Sequence, residues 1–253
     1  MDIRIQGPGP TSPFLSARDL FETEHDLSLP VYVRLRDDPD ERTWAGHYED
    51  RHVLNISRQA ASSAMARELA LHEFAHMARY EEDHPSHTQS IEEVLYLALA
   101  GKSVERRKLS HCYQIANHMK DIYADDITLS VGPGEKLLSF LESSLATAVA
   151  DRPDTPSRPG LQRLSASADP DITAVNAAFA LALAERHELV NPDESHRLYD
   201  LAHAAAMDAP AVDTMAFRRR FRDLGRETDA STYRKVLVDA TRSYVDSNSA
   251  AAD

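Results

Sequence analysis

The segment His72-Glu73-Phe74-Ala75-His76 holds two imidazoles four residues apart, with a carboxylate beside the first. On a helix that spacing puts both rings on one face, where their nitrogens can share a tetrahedral zinc ion. Glu73 then lies close enough to take a proton from a water on the ion. With 12 His and 17 Glu in 253 residues, the pattern arises by accident only ~0.04 times per chain of this composition. Leu69, Ala70, Leu71, Phe74, Ala75, Met77 and Ala78 surround it with apolar side chains, and a carboxylate buried there without a partner costs several kcal/mol. The bland alternative is a pair of core histidines with ordinary hydrogen bonds, and Glu73 paired with Arg79 or Arg67.

Elements that must position these residues follow from hydrophobic period. Ile3 and Ile5 alternate with polar residues, Val31–Leu35 is β-branched and aromatic, and His52–Ile56 alternates again, so strand is expected in the first quarter only. Asp37–Arg42, with Pro39, reads as the turn of a hairpin. The strand at His52–Ile56 is expected to offer an edge to an extended peptide. From Ser62 the period becomes helical, with Met65, Leu69, Leu71, Phe74, Ala75 and Ala78 marking a buried helix. Further helices are expected over about Ile91–Ala100, ending at Gly101, then about Val104–Thr128, Glu135–Ala150, Ile172–Val190 and Asp193–Met207. A last one spans about Val212–Tyr244, with a break near Gly225. Only 8 glycines in the chain agree with a mostly helical α+β protein. The expected organisation is a site-bearing domain over residues 1–150, a Pro/Ser-rich linker over 151–170 and a helical domain of unknown role over 171–253.

A strand, a helix with His72-Glu73-x-x-His76 and a later helix with an acidic ligand together resemble the zincin metallopeptidases. The stretch from Arg51 to Ala146 is similar to an uncharacterised family of haloarchaeal zincin-like proteins. The resemblance implies a zincin-like α+β catalytic domain, one Zn²⁺ per chain and a peptidase-type site; it does not extend to the C-terminal helices. A catalytic zinc takes three protein ligands and keeps one position open, so a third ligand must come from outside the helix. His84 and His87 are nearest, but no glycine turns the chain between His76 and His84, and both read as residues of an exposed loop. Glu92 and Glu93 would suit a glutamate ligand from the next helix, or serve as first-turn acids favourable to its dipole. Asn117, Asp121 and Asp125 stand at i, i+4 and i+8 on one helix face. By resemblance to the gluzincin E-x-x-x-D element, Asp121 becomes the zinc ligand, and Asp125 accepts a hydrogen bond from a ligand histidine and fixes its tautomer.

Two neutral imidazoles, one carboxylate and Zn²⁺ leave a local charge of about +1, which brings the pKa of a bound water toward ~7. Glu73 as general base would accept its proton and pass it to the leaving amine. Tyr123 and His118, and also His111, are candidates to donate to the oxyanion. The expected function is therefore a zinc-dependent peptidase, a hydrolase with a peptide or protein substrate. The alternative is a non-catalytic zinc-stabilised domain for protein interaction or regulation, in which an intact Glu73 would have no use.

Charge narrows the partners. There are 28 Lys+Arg against 41 Asp+Glu, for a net charge of -13, which disfavours nucleic acid and anionic membrane. Lysine is rare beside arginine, and acids of both kinds abound, a composition similar to that of halophilic archaeal proteins with strongly hydrated surfaces. A lone Cys112 excludes an internal disulfide framework, and no apolar run reaches membrane-spanning length. The N-terminal residues carry no secretory pattern, so a cytoplasmic location is expected. Arg218, Arg219, Arg220, Arg222 and Arg226 lie among acids and read as a salt-bridged helix face.

Overall fold

The computed structural model describes residues 1–151 and 169–247, and its described residues form an α+β fold. The three alternating or β-branched segments become β1 (Ile3–Gln6), β2 (Val31–Arg36) and β4 (His52–Ser57), joined by β3 (Trp44–His47) in one sheet of order β1-β2-β4-β3. β1, β2 and β4 run parallel, and β3 lies antiparallel to β4. Parallel neighbours need a long crossover. Between β1 and β2 it is α1 (Ser12–Phe21), which the sequence reading left out. Its signals are Pro13 in the first turn and Phe14, Ala17 and Phe21 on one buried face.

Two expectations about the sheet are corrected. Asp37–Arg42 is not a hairpin turn, because β2 pairs with β4 while this segment leads to β3 at the far edge. The tight turn lies at residues 48–51, where the Tyr48 N–H donates to the Arg51 carbonyl at 2.9 Å and brings His47 opposite His52. β4 also offers no edge. It has a strand on either side, and all six of its residues are buried, including the polar His52, Asn55 and Ser57. On that side of the sheet the edge strand is β3.

The described residues make two compact units, residues 1–88 with 123–136, and residues 89–122 with those from 137 on. The first holds the sheet, α1, α2 (Arg58–Ala61), α3 (Ala66–Glu81), α4 (Pro85–Thr88) and the last turns of α6 (Arg106–Val131). Its core joins Phe14 and Phe21 of α1, Val31 and Val33 of β2, Leu54 and Ile56 of β4, Leu71, Phe74 and Met77 of α3, and Ile127 of α6. Phe21 and Phe74 meet edge to face with ring centres 6.0 Å apart, a favoured aromatic geometry.

The second unit is helical: α5 (Ile91–Leu99), the first turns of α6, most of α7 (Gly134–Ala150), α8 (Pro170–Arg186), α9 (Arg197–Asp208), α10 (Thr214–Arg222) and α11 (Ala230–Ser247). α8 is buried from Ile172 to Ala184 except at Asn176, as expected of a helix apolar all round. The expected break near Gly225 separates α10 from α11. The arginine face is salt-bridged, with Glu185 of α8 as a partner of Arg218 and Arg222. Of the linker expected at 151–170, residues 152–168 lie outside the described residues. No helix among the described residues is long and apolar enough to cross a membrane.

Candidate metal centre

The sequence Ala66–Glu81 contains no glycine, proline or β-branched residue, so backbone and rotamer entropy both favour the helix it forms. Leu71, Phe74, Met77 and Ala78 turn into the core of the first unit, and the half-buried His72 and His76 share another face. Their Nε2 atoms face each other at 3.0 Å. Glu73, next along, is buried at 7% exposure. Arg79 and Arg67 bind elsewhere: Arg79 Nε donates to the Tyr123 carbonyl at 2.9 Å and Nη1 to Glu82 at 2.8 Å, while Arg67 holds Glu68. The Arg79–Tyr123 bond fixes α6 to α3 within the turn that separates Asp121 from Asp125.

Asp125 is 3% exposed, and its Oδ1 lies 2.7 Å from His72 Nδ1. A carboxylate at that distance accepts the Nδ1 proton and leaves the lone pair on Nε2. One turn earlier on the same unbroken helix stands Asp121. His72, His76 and Asp121 each offer a ligand atom, and these atoms all lie within 4.8 Å of one another, the one such group among the described residues. That cluster could bind a metal ion.

The other sequence candidates are placed elsewhere. Glu92 and Glu93 are exposed in the first turn of α5, where Ser90 caps the helix by accepting from the Glu93 N–H at 3.2 Å. Asn117 is exposed. His118 hydrogen-bonds Asn176 at 2.8 Å and stacks on Phe179 at 4.3 Å. Tyr123 is fully buried with its ring 4.5 Å from that of His84. His111 sits in the helical unit, bonded to Tyr244 and 3.3 Å from Asp169.

Two further groups of residues surround α3. His84 and His87 are half-buried rather than exposed; His87 Nε2 lies 2.7 Å from His76 Nδ1, and Ser86 Oγ lies 2.7 Å from a ring nitrogen of each of them. At the end of α3, Glu81 accepts from the Ser28 and Leu29 N–H groups at 2.7 and 2.9 Å and meets His52 Nε2 at 3.0 Å. His52 Nδ1 in turn faces His47 Nδ1 at 3.1 Å, and His47 stacks on Tyr80 at 4.3 Å. Burial pulls the pKa of His52 down, against the raising effect of Glu81. This cluster ties the end of α3 to the sheet. Its sequence signal is faint, since nothing but the hairpin register brings His47 to His52.

One family model matches residues 1–246, from β1 into α11. The chain belongs to that family, the Family of unknown function (DUF5781). The match to DUF5781 includes α3 and α6 with His72, Glu73, His76, Asp121 and Asp125, and the family's description assigns no activity. No curated protein and no solved structure matches the chain.

Proposed function

We propose that the chain is a zinc-dependent peptidase, of zincin type, with His72, His76 and Asp121 as metal ligands and Glu73 as general base. The observation that carries this reading is the approach of His72 Nε2 to His76 Nε2 at 3.0 Å, with an Asp121 oxygen in the same group. A tetrahedral zinc with Zn–N of about 2.0–2.1 Å sets its nitrogens about 3.3 Å apart, close to the spacing already present. Two imidazoles and one carboxylate are a donor set that zinc accepts, with a position left open. When bound, zinc would supply a Lewis acid that acidifies water and polarises a carbonyl.

The chain's own residues supply the remainder. Asp125 keeps the His72 Nδ1 proton in place, so that Nε2 stays a ligand. Glu73, placed beside the ligands by the helix, takes the proton of the attacking water and returns it to the amine that leaves. The edge strand for an extended peptide would be β3, which pairs on one side with β4.

Metal analysis of the purified chain should find about one zinc, lost on replacing His72 or His76. Glu73→Gln should keep the zinc and lower hydrolysis of an unfolded protein substrate by roughly 10²-fold or more. A zinc-free protein sinks the metal reading. Zinc without hydrolysis in the wild type leaves a zinc-stabilised interaction domain in place of the peptidase.

A further inference from the structure

We infer that His87 positions His76 for metal binding, and that Ser86 and His84 hold His87 to that task. The inference rests on the metal reading of His72 and His76 and adds a requirement on the far side of the His76 ring. A histidine ligates through Nε2 only if its proton is on Nδ1, and that proton stays there when a fixed acceptor receives it. For His72 the acceptor is Asp125. For His76 the neighbour of Nδ1 is another imidazole, His87 Nε2 at 2.7 Å, which either gives or takes the proton.

The direction follows from a group that can only donate. The Ser86 backbone N–H points to His84 Nδ1 at 3.3 Å, so that nitrogen carries a lone pair. The Ser86 hydroxyl, 2.7 Å from the same Nδ1, therefore donates to it. Its oxygen then accepts from His87 Nδ1, also at 2.7 Å, and the proton on Nδ1 leaves His87 Nε2 as the acceptor for His76 Nδ1–H. With neutral imidazole rings, each step follows from the one before. The Nε2 atoms of His72 and His76, 3.0 Å apart, are then the lone-pair nitrogens of their rings and can face one cation together.

The backbone delivers His87 by a device that needs no glycine. Past Glu82, Asp83 adopts φ 52°, and two bonds close the helix end: Asp83 N–H to the Tyr80 carbonyl at 3.1 Å and His84 N–H to the Arg79 carbonyl at 2.9 Å. That is the Schellman pattern with aspartate in the left-handed position. The reversal starts α4 at Pro85, seats Ser86 at 0% exposure and returns His87 to a residue eleven positions earlier.

The test is zinc affinity of the full chain, measured by competition with a chromogenic chelator. His87→Ala should bind zinc about 10–100-fold more weakly. His87→Gln, whose amide oxygen can accept from His76 Nδ1, should recover most of the loss. In the cobalt(II)-loaded wild type, two exchangeable, paramagnetically shifted imidazole N–H signals are expected, those of His72 and His76, with the second lost in His87→Ala. Unchanged affinity in His87→Ala, a glutamine variant as weak as the alanine one, or a single such signal in the wild type would each overturn the role of His87. If His87→Ala fails to fold, the glutamine variant and the wild-type cobalt spectrum still decide. Failure of the wild type to bind zinc at all would instead remove the metal reading beneath it.

Discussion

Asp169 measures what a buried carboxylate contributes when cations surround it. It is 3% exposed, accepts from the Asp171 N–H at the start of α8 at 3.0 Å and meets Arg107 at 2.8 Å and His111 at 3.3 Å. Burial raises its pKa, but His111 and Arg107 outweigh burial and hold it at about 2, below the ordinary 3.8. A lowered carboxylate pKa stabilises the fold above the unfolded value, and the contribution is lost as pH falls toward the folded one. At about 1.4 kcal/mol per unit the gain is roughly 2 kcal/mol. Asp169→Asn keeps an oxygen for the helix cap, so it should cost about that much at pH 7 and flatten the decline in stability between about pH 4 and 2. Parallel urea titrations of both proteins across that range check it; parallel curves would mean that Asp169 carries no such linkage. The proposed metal residues differ in how legible they were. His72, Glu73 and His76 follow from spacing on one helix, because helical period is local; spacing puts Asp121 and Asp125 on one face of another helix, and their expected roles came from the gluzincin resemblance. His87 depends on a left-handed φ at Asp83, which no apolar pattern announces.

At the scale of elements, that left-handed turn aims α4, and it is open to test apart from any metal. A non-glycine residue at positive φ is strained by roughly 1 kcal/mol, less for aspartate than for a β-branched residue. Asp83→Gly should therefore leave the metal-free chain as stable or up to about 1 kcal/mol more so, while Asp83→Val should destabilise it by more than that. Thermal melts of the two variants in chelator decide; equal melting temperatures would show that the turn is not strained. The sheet teaches a related lesson. β-branched and alternating runs marked β1, β2 and β4, yet their order was hidden, because pairing depends on which strand fills the gap between β2 and β3. The short β3, Trp-Ala-Gly-His, has too little pattern to be seen, and overlooking it made central β4 look like an edge. α1 was missed although Pro13 and the Phe14, Ala17, Phe21 spacing were present, because its ten residues sit between segments that read as strand and loop. Within α6, one continuous run carries residues of both units.

For the molecule as a whole, the 13 unmatched negative charges set the sign of the response to salt. Two effects oppose each other. Salt weakens exposed ion pairs such as Arg36–Glu41 and Arg51–Asp50, but each of these is worth about 0–1 kcal/mol. Salt also screens repulsion among the surplus acids, which acts over many pairs at separations near the ~10 Å screening length of 0.1 M salt and is largely removed at the ~3 Å length of 1 M. With acids outnumbering Lys and Arg by 41 to 28, the second effect wins. Raising KCl from about 0.05 to 1 M should stabilise the chain by about 1–2 kcal/mol, and 1 kcal/mol moves the midpoint of a chain of this length by about 2–4 °C. Differential scanning calorimetry in a chloride series, with chelator present to keep metal linkage out of the result, measures it directly. A melting temperature that stays flat or falls over this range would show that the acidic surface is neutral toward folding, and the composition would then bear on hydration and solubility alone.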